Sequence, residues 1–309
     1  MELAIVAAEK IFVMLIIAIA GFVASKAGVI TEKGNKSLTS LLLMVVNPIM
    51  IINAYCIEVD SRLLKNFLIS AVLAVASHII GIALSFVLVR KKRADYRVER
   101  LSVVYSNCGF IGIPLVNGLF GMEGVLYLTA YLTVFNICLW THGVLQITEG
   151  ADLKSMLKNL ISPAIVCSGL GLIIFAFKIP IPKPLGEAIE QISTMNSPLA
   201  MLIAGATIAR SDLKKAVAKV PVYYITLLRL FVVPVVCALC FAPFGFERAV
   251  VITAVVEAAC PAAASATMFA INYNKNAVYA SEIFAMSTIL SVVSLPVVIM
   301  ATEWIMRLG

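Results

Sequence analysis

Charged residues are scarce in this sequence. Only 13% of its 309 residues are Asp, Glu, Lys or Arg, whereas 61% are apolar, and the mean hydropathy is +1.02. A soluble globular domain usually contains about 25% charged residues. A chain with so little charge cannot cover its surface in water, so lipid must surround most of it. The composition therefore excludes a sizeable soluble domain.

Histidine is nearly absent, and the motifs of soluble enzymes are missing. The two histidines, His78 and His142, lie in apolar segments, where we expect hydrogen-bonded packing roles. The seven cysteines also lie in apolar segments; Cys237 and Cys240 have CxxC spacing but no second pair or nearby histidine. The sequence has no phosphate-binding glycine loop and no plausible Ser-His-Asp set. We therefore predict that the protein is not an enzyme and holds no cofactor, apart from an ion considered below.

Long apolar stretches dominate the chain instead. A helix needs about 20 residues to cross a bilayer. The first stretch lacks the basic start of a cleavable signal peptide, and we expect it to remain as a helix. Ten stretches suit spanning helices, at about 5–24, 37–56, 67–89, 101–120, 124–145, 162–177, 188–208, 221–242, 249–270 and 277–305.

The longest polar connection, 146–161, separates five of these stretches from the other five. The sequence therefore predicts an all-α membrane protein with ten transmembrane helices. We divide it into a first five-helix repeat at 1–148, a cytoplasmic linker at 149–161 and a second repeat at 162–309.

Basic residues predict the orientation of these helices. If the N-terminus is outside, sixteen Lys and Arg residues lie in inward loops and six in outward ones. Basic loops favour the cytoplasmic side. We therefore predict a multi-pass protein of the cell (inner) membrane with both termini outside. The run RKKRADYR at 90–97 then contacts lipid headgroups of the bilayer, and we expect no nucleic-acid partner.

Helix-breaking residues recur in the two halves of the chain. Asn47-Pro48 interrupts the second helix, and Asn196-Ser197-Pro198 interrupts the seventh. Pro114 lies in the fourth helix, where Gly109 and Gly112 precede it, and Pro261 lies in the ninth. An odd number of helices per half orients the halves oppositely. Interrupted hydrophobic segments at corresponding positions indicate an inverted-repeat transporter.

Two ionisable residues lie deep in predicted helices. Arg229 is near the middle of the eighth and Glu257 near the middle of the ninth. A charge at that depth is costly and is usually functional. Pro261 also frees the main-chain carbonyl of Glu257, which brings a carboxylate and a carbonyl to one broken turn. The alternative is that Arg229 and Glu257 only pair with each other as a structural lock.

The segment SNCGFIGIPL at 106–115 resembles the fourth-helix motif of the auxin efflux carrier family, and Asn47-Pro48 and Pro261 fit the same family. The resemblance covers essentially the whole chain, and the short central loop resembles that of bacterial members. It implies a fold shared with sodium/proton antiporters and bile-acid sodium symporters. In that fold the fourth and ninth helices are broken and cross at mid-membrane, here near Pro114 and Pro261.

The resemblance also implies that two groups of helices have different roles. Helices 1, 2, 6 and 7 form a scaffold, through which a homodimer is expected. Helices 3–5 and 8–10 form a core that shifts against the scaffold in alternating access. Family substrates are organic anions, so the resemblance implies secondary-active transport of a small mono- or dicarboxylate, with import and export both open.

The substrate site is expected at the predicted crossing. Half-helices that begin near Pro114 and Pro261 present free amides and positive dipole ends to a carboxylate. Asn107 and, from the scaffold, Asn47 supply hydrogen bonds. Arg229 is a further candidate partner of the anion if it does not form an ion pair with Glu257.

A driving ion is the boldest expectation. Glu257, Ser106, Asn107, Thr129 and Thr133 resemble the first sodium site of bile-acid symporters, and hard oxygen donors suit a small cation. Thr129 and Thr133 are four residues apart and share a helix face. Proton coupling through Glu257 is the competing mechanism, and a purely structural Glu257 is the third alternative.

Two other functional classes remain in competition with transport. A membrane sensor or scaffold would bind a ligand without moving it, but the chain contains no fused signalling domain. An integral membrane enzyme is disfavoured because the chemistry it needs is missing from the sequence.

Overall fold

The structure is a computed structural model that describes residues 2–57, 60–148, 163–210 and 217–308. These residues form helices and one isolated β-bridge. The predicted linker, 149–161, lies outside the described residues. The helices are α1 (Glu2–Lys26), α2 (Glu32–Tyr55), α3 (Ser61–Leu88), α4 (Tyr96–Val104), α5 (Cys108–Ile147), α6 (Pro163–Phe177), α7 (Lys183–Thr194), α8 (Asn196–Ile208), α9 (Val220–Phe244), α10 (Arg248–Ala259), α11 (Ala264–Asn272) and α12 (Ala277–Leu308).

Six helices in the described part of the chain are long and apolar enough to cross a membrane: α1, α2, α3, α5, α9 and α12. The helical fold and the membrane-spanning character predicted from the sequence are thus confirmed, whereas the count of ten remains a prediction. The difference between ten and six arises where helices are broken and at α6, which contains 15 residues. α5 contains 40 residues but leaves helical geometry at Gly121 (φ 61°, ψ −152°). The predicted fourth helix corresponds to α4 and the start of α5, the seventh to α7 and α8, and the ninth to α10 and α11.

Prolines inside these helices follow a common rule. Proline lacks an amide donor, and its ring clashes with the carbonyl four residues earlier. A wider π turn precedes three of them and ends two residues before each proline: Leu42–Val46 before Pro48, Cys108–Gly112 before Pro114, and Leu228–Val232 before Pro234. The helix therefore continues past each proline instead of ending there. Such π turns occur frequently at functional sites.

Glycines allow very close packing among the helices of the predicted scaffold. Gly205 on α8 lies against the main chain of α1 at Ala18, and Gly21 on α1 lies against the main chain of α8 at Leu202. Gly171 on α6 lies against the ring of Tyr55 on α2. Small residues that let helix backbones approach are a main source of helix association in lipid. Close approach of helix backbones thus contributes to the packing of the predicted scaffold.

Candidate functional site

Two interrupted helices meet inside the molecule. α4 ends at Val104 and α5 begins at Cys108, while α10 ends at Ala259 and α11 begins at Ala264. The linking segments, 105–107 and 260–263, run antiparallel and are bridged at Ser106 and Ala262. The amide of Asn107 donates to the carbonyl of Pro261 (2.7 Å), and the amide of Ala263 donates to the carbonyl of Tyr105 (2.9 Å). We call this pair of linked segments the crossing.

The crossing is buried, and a side chain of α12 satisfies one of its main-chain amides. Ser106 and Asn107 are 2% and 6% exposed. The amide of Ala262 donates to Ser287 Oγ on α12 at 3.1 Å. Irregular backbone at membrane depth needs such partners, because lipid offers no hydrogen bonds. Five helices, α4, α5, α10, α11 and α12, thus meet at this buried point.

The break in the fourth helix precedes Pro114, near which the sequence predicted it. The chain leaves helical geometry at 105–107, seven residues earlier, and Pro114 lies in the first turn of the regular helix after the π turn. The π turn before it accommodates the hydrogen bond that Pro114 cannot donate, so the helix continues past this residue. In the ninth helix Pro261 does lie within the break itself.

Arg229 on α9 reaches the crossing and is 1% exposed. Its Nε donates to the carbonyl of Cys260 (2.9 Å). Its Nη1 donates to Val103 (2.8 Å) and Val104 (3.0 Å), and its Nη2 to Ala258 (2.5 Å) and, at 3.4 Å, to Glu257. All these acceptors are main-chain carbonyls at the ends of α4 and α10. The guanidinium therefore caps both helices.

Glu257 on α10 is fully buried, and neither carboxyl oxygen has a hydrogen-bond partner among the described residues. The Cys108 thiol, a weak donor, is the side-chain polar group beside it. The carboxyl lies against Gly112 of the π turn: a Cβ there would be 2.8 Å from Glu257 Cδ. Arg229 bonds the carbonyl of Glu257 but not its carboxylate, so the geometry does not form the lock considered above. A buried carboxyl group without partners points to a missing ion or proton.

Asn47, a predicted scaffold residue, lies close to the π turn that follows the crossing. Its Oδ1 accepts a hydrogen bond from Asn196 Nδ2 of α8 at 2.6 Å. A Cβ at Gly109 would be 4.0 Å from Asn47 Nδ2. Asn196 is 1% exposed, and its own Oδ1 lacks a partner in the described structure. The two interrupted scaffold helices thus present an asparagine pair beside α5.

The two threonines of the predicted sodium site form hydrogen bonds with groups outside that site. Thr129 Oγ1 donates to Tyr55 Oη of α2 or to the carbonyl of Leu126 (2.8 and 2.7 Å), and Thr133 Oγ1 donates to the carbonyl of Thr129 (2.9 Å). The described residues contain no cluster of three or more His, Cys, Asp or Glu suited to a metal ion. The orphaned carboxyl of Glu257 fits a cation, whereas these two hydroxyls face other groups.

Sequence reasoning missed three contacts of this site. Asn196 was noted as a helix interruption but not as the partner of Asn47, although both precede a proline in matching helices. Gly112 was noted as a helix breaker but not as the residue that accommodates Glu257. Tyr55 gave no signal in the sequence, because the end of an apolar helix is a common place for tyrosine.

The comparisons with known proteins agree with a transport role. Residues 6–153 and, separately, 147–299 match a family described as "Membrane transport protein". An uncharacterized transporter of Methanothermobacter thermautotrophicus is 25% identical over 293 residues, which cover 93% of this chain and 96% of that protein. An uncharacterized transporter of Methanocaldococcus jannaschii is 25% identical over 218 residues, 67% of this chain and 70% of that protein.

The matched family is a transporter family and not a class of enzymes. Its matches span nearly the whole chain and include the segment 106–115 that pointed to it. The chain belongs to the auxin efflux carrier family of membrane transport proteins.

Proposed function

We propose that the protein is a secondary-active transporter that carries a small organic anion by alternating access. The observation that carries the proposal is the crossing. There the described helices leave two N-terminal ends, at Cys108 and Ala264, inside the molecule, while Arg229 caps the opposite, C-terminal ends. Helix N-terminal ends attract anions. The site therefore offers the partial positive charge that a carboxylate needs.

Asparagines supply the hydrogen bonds of the proposed site. Asn107 lies in the crossing itself, and Asn47 lies beside the first turn of α5. The orphaned Oδ1 of Asn196 adds an acceptor for a hydroxyl or a protonated group of the substrate. Because all bonds of Arg229 go to main-chain carbonyls, we assign the binding of the anion to amides and asparagines.

We further propose the ten-helix architecture with two inverted repeats. The separate family matches at 6–153 and 147–299 support an internal repeat with the boundary in the linker at 149–161. The broken helices α4–α5 and α10–α11 occupy matching places in the two halves. In this arrangement helices 1, 2, 6 and 7 are the scaffold, and helices 3–5 and 8–10 move as the core. Both termini face outward from the cell membrane, and the scaffold forms a homodimer.

Glu257 is the proposed coupling residue. Its carboxyl lies one helical turn from the crossing, it is completely buried, and it lacks hydrogen-bond donors other than a thiol. A bound sodium ion would find a carboxylate there, with Ser106 and Asn107 as neighbours on the partner segment. Thr129 and Thr133 join such a site only if their hydroxyls turn away from the partners described above. A proton on Glu257 satisfies the same carboxyl without any further ligand.

Transport in proteoliposomes tests the proposal. A thermal-shift screen of mono- and dicarboxylates first identifies a binding acid, and counterflow of that radiolabelled acid then measures transport. We expect stabilisation by at least one carboxylate and counterflow above that of empty liposomes. Binding without counterflow would support the rival function, a membrane sensor. Stabilisation by neutral solutes or cations alone would overturn the anion assignment.

The same assay separates the coupling ions. Sodium is replaced by potassium or choline at fixed pH, and pH is then varied without sodium. Glu257→Gln keeps the shape but cannot ionise, so we expect it to abolish the gradient dependence of transport while anion-induced stabilisation is partly retained. Unchanged, gradient-driven accumulation by Glu257→Gln would contradict both coupled mechanisms.

A further inference from the structure

One guanidinium ties together the two broken helices. The carbonyls that Arg229 binds belong to α4 (Val103 and Val104) and to the end of α10 (Glu257, Ala258 and Cys260). These segments lie far apart in the chain, and Arg229 reaches both from a third helix. Its planar group offers five N–H donors in a fixed geometry, and main-chain carbonyls take them all.

The energetic need for this tie follows from helix geometry. The last four carbonyls of a helix lack intrahelical partners, and two helix ends meet here without access to water. Their dipoles place partial negative charge at the same point. A single buried cation satisfies both ends at once. Without it, two sets of carbonyls would repel each other at the point where the linking segments must pair.

We infer that Arg229 is a positioning residue of the transporter: it holds the linking segments of the crossing in register and does not itself bind the transported anion. Arg229 thus acts on the substrate through Asn107. The hydrogen bond from the main-chain amide of Asn107 to the carbonyl of Pro261 depends on that register. The part concerning substrate rests on the proposed function, whereas the part concerning the crossing does not.

Arg100 provides a matched control, because it has the same chemistry at a single helix end. It is buried and donates to the carbonyls of Val89 (2.8 and 3.0 Å) and Phe86 (3.4 Å) at the end of α3. Substitution of Arg100 removes a buried guanidinium cap but leaves the crossing intact. Arg229→Lys, Arg229→Gln, Arg100→Lys and Arg100→Gln therefore form a balanced set.

Hydrogen exchange measured by mass spectrometry on the full-length variants is the test. The amides of Asn107 and Ala263 are protected by the bonds across the crossing. We expect Arg229→Gln to exchange at these amides about tenfold faster or more, because charged hydrogen bonds stabilise local structure to that extent. Arg229→Lys retains a cation and restores part of the protection, and it remains informative if Arg229→Gln does not fold. The Arg100 variants keep protection at the crossing and lose it at the end of α3.

Equal protection at the crossing in Arg229→Lys and the unsubstituted protein would overturn the positioning role. So would loss of protection spread evenly over the chain, or loss equal to that in Arg100→Lys. Malonate and indole-3-acetate serve as anionic probes in a parallel thermal-shift titration. Arg229→Lys should weaken any anion-induced stabilisation in step with its loss of protection at the crossing. If neither probe nor any other carboxylate stabilises the unsubstituted protein, the proposed function fails while the exchange result still decides the role of Arg229.

Discussion

At the scale of single residues, buried polar groups differ in whether their hydrogen bonds are complete. Arg229 is saturated by carbonyls, whereas the carboxyl of Glu257 and the Oδ1 of Asn196 have no partner among the described residues. A buried group without a partner is rare and calls for an explanation such as an absent ion, proton or ligand. Both groups border the segment from the crossing to Gly112, and they add to the helix ends on which the proposed transport site rests.

The depth of Arg229 and Glu257 in apolar stretches was enough to mark them as candidate functional residues. Their partners could not be predicted in the same way. The carbonyls that Arg229 binds are available only because α4 and α10 end early. No side chain in those segments predicts where these two helices end. The sequence left a salt bridge between them open as an alternative, because it shows charges and does not show free main-chain groups.

Gly112→Ala tests the contact between the π turn and Glu257. A Cβ at position 112 would be 2.8 Å from Glu257 Cδ, so the carboxyl or the turn must shift. We expect a loss of about 1–3 kcal/mol in stability from overpacking, seen as a lower melting temperature in detergent, together with impaired transport. Gly109→Ala on the same π turn is the control, because its Cβ would meet only Asn47 Nδ2 at 4.0 Å. Equal melting temperatures for both variants would contradict the described position of Glu257.

At the scale of helices, Pro48, Pro114 and Pro261 indicated where the chain is irregular. They did not indicate whether the irregularity is a π turn or an open break. Pro48, Pro114 and Pro234 follow π turns within continuous helices, and Pro296 lies inside α12. Pro261, in contrast, lies in an open break. Proline requires that one hydrogen bond be given up, and either a widened turn or a break meets that requirement. The choice depends on tertiary partners such as Arg229 and Ser287, which a local pattern does not reveal.

Gly205→Ala tests the packing of α1 against α8. A methyl group at Gly205 would overlap the main chain of Ala18, with its carbon 2.7 Å from that carbonyl carbon. The backbone cannot give way as a flexible side chain would, so we expect a loss of about 2 kcal/mol or more and a clearly lower melting temperature. Gly169→Ala on α6 is the matched control, because its Cβ would meet nothing within 4 Å. That variant should melt at or slightly above the original temperature, since alanine favours helix. A similar drop in both variants would argue against close packing of α1 and α8.

At the scale of the molecule, polar contacts join the helices of the proposed core at both of its ends. At one end Arg62 bonds both Glu123 (2.8 Å) and Glu247 (2.7 Å), which joins α3, α5 and the start of α10. At the other end Arg93 pairs with Glu99, which also accepts from Tyr279 of α12 at 2.9 Å. The hydrogen bond from Arg93 to Glu99 raises the pKa of that arginine above its ordinary value, so the guanidinium stays charged at any physiological pH.

Single exposed ion pairs contribute little stability, but these ties link core helices to one another at both ends. Such contacts would help the helices of the proposed core to move together as one rigid unit. The proposed scaffold combines glycine packing between α1 and α8 with hydrogen bonds such as that between Asn196 and Asn47 (2.6 Å). The division of the molecule into these two parts stays a prediction, which the sequence supplied only through a family resemblance.

A disulfide across the boundary between the two parts tests the motion itself. Lys10 lies on α1 of the scaffold, and Gly118 lies on the first part of α5 in the core. Lys10 Cβ is 3.6 Å from the position that a Cβ at residue 118 would occupy, and disulfides have Cβ–Cβ distances of about 3.5–4.5 Å. We therefore expect Lys10→Cys/Gly118→Cys to oxidise readily, once the exposed native Cys56 and Cys240 are replaced by serine.

Such a cross-link should stop transport because α1 and α5 must separate in alternating access. Counterflow of the identified acid should fall to the level of empty liposomes after oxidation and recover after reduction with dithiothreitol. Each single-cysteine variant, treated in the same way, should be insensitive to both steps. Anion-induced stabilisation should persist in the oxidised protein, since the crossing lies away from the link. Undiminished counterflow with a fully formed disulfide would show that α1 and this part of α5 do not separate, and the division into a fixed scaffold and a moving core would have to be abandoned.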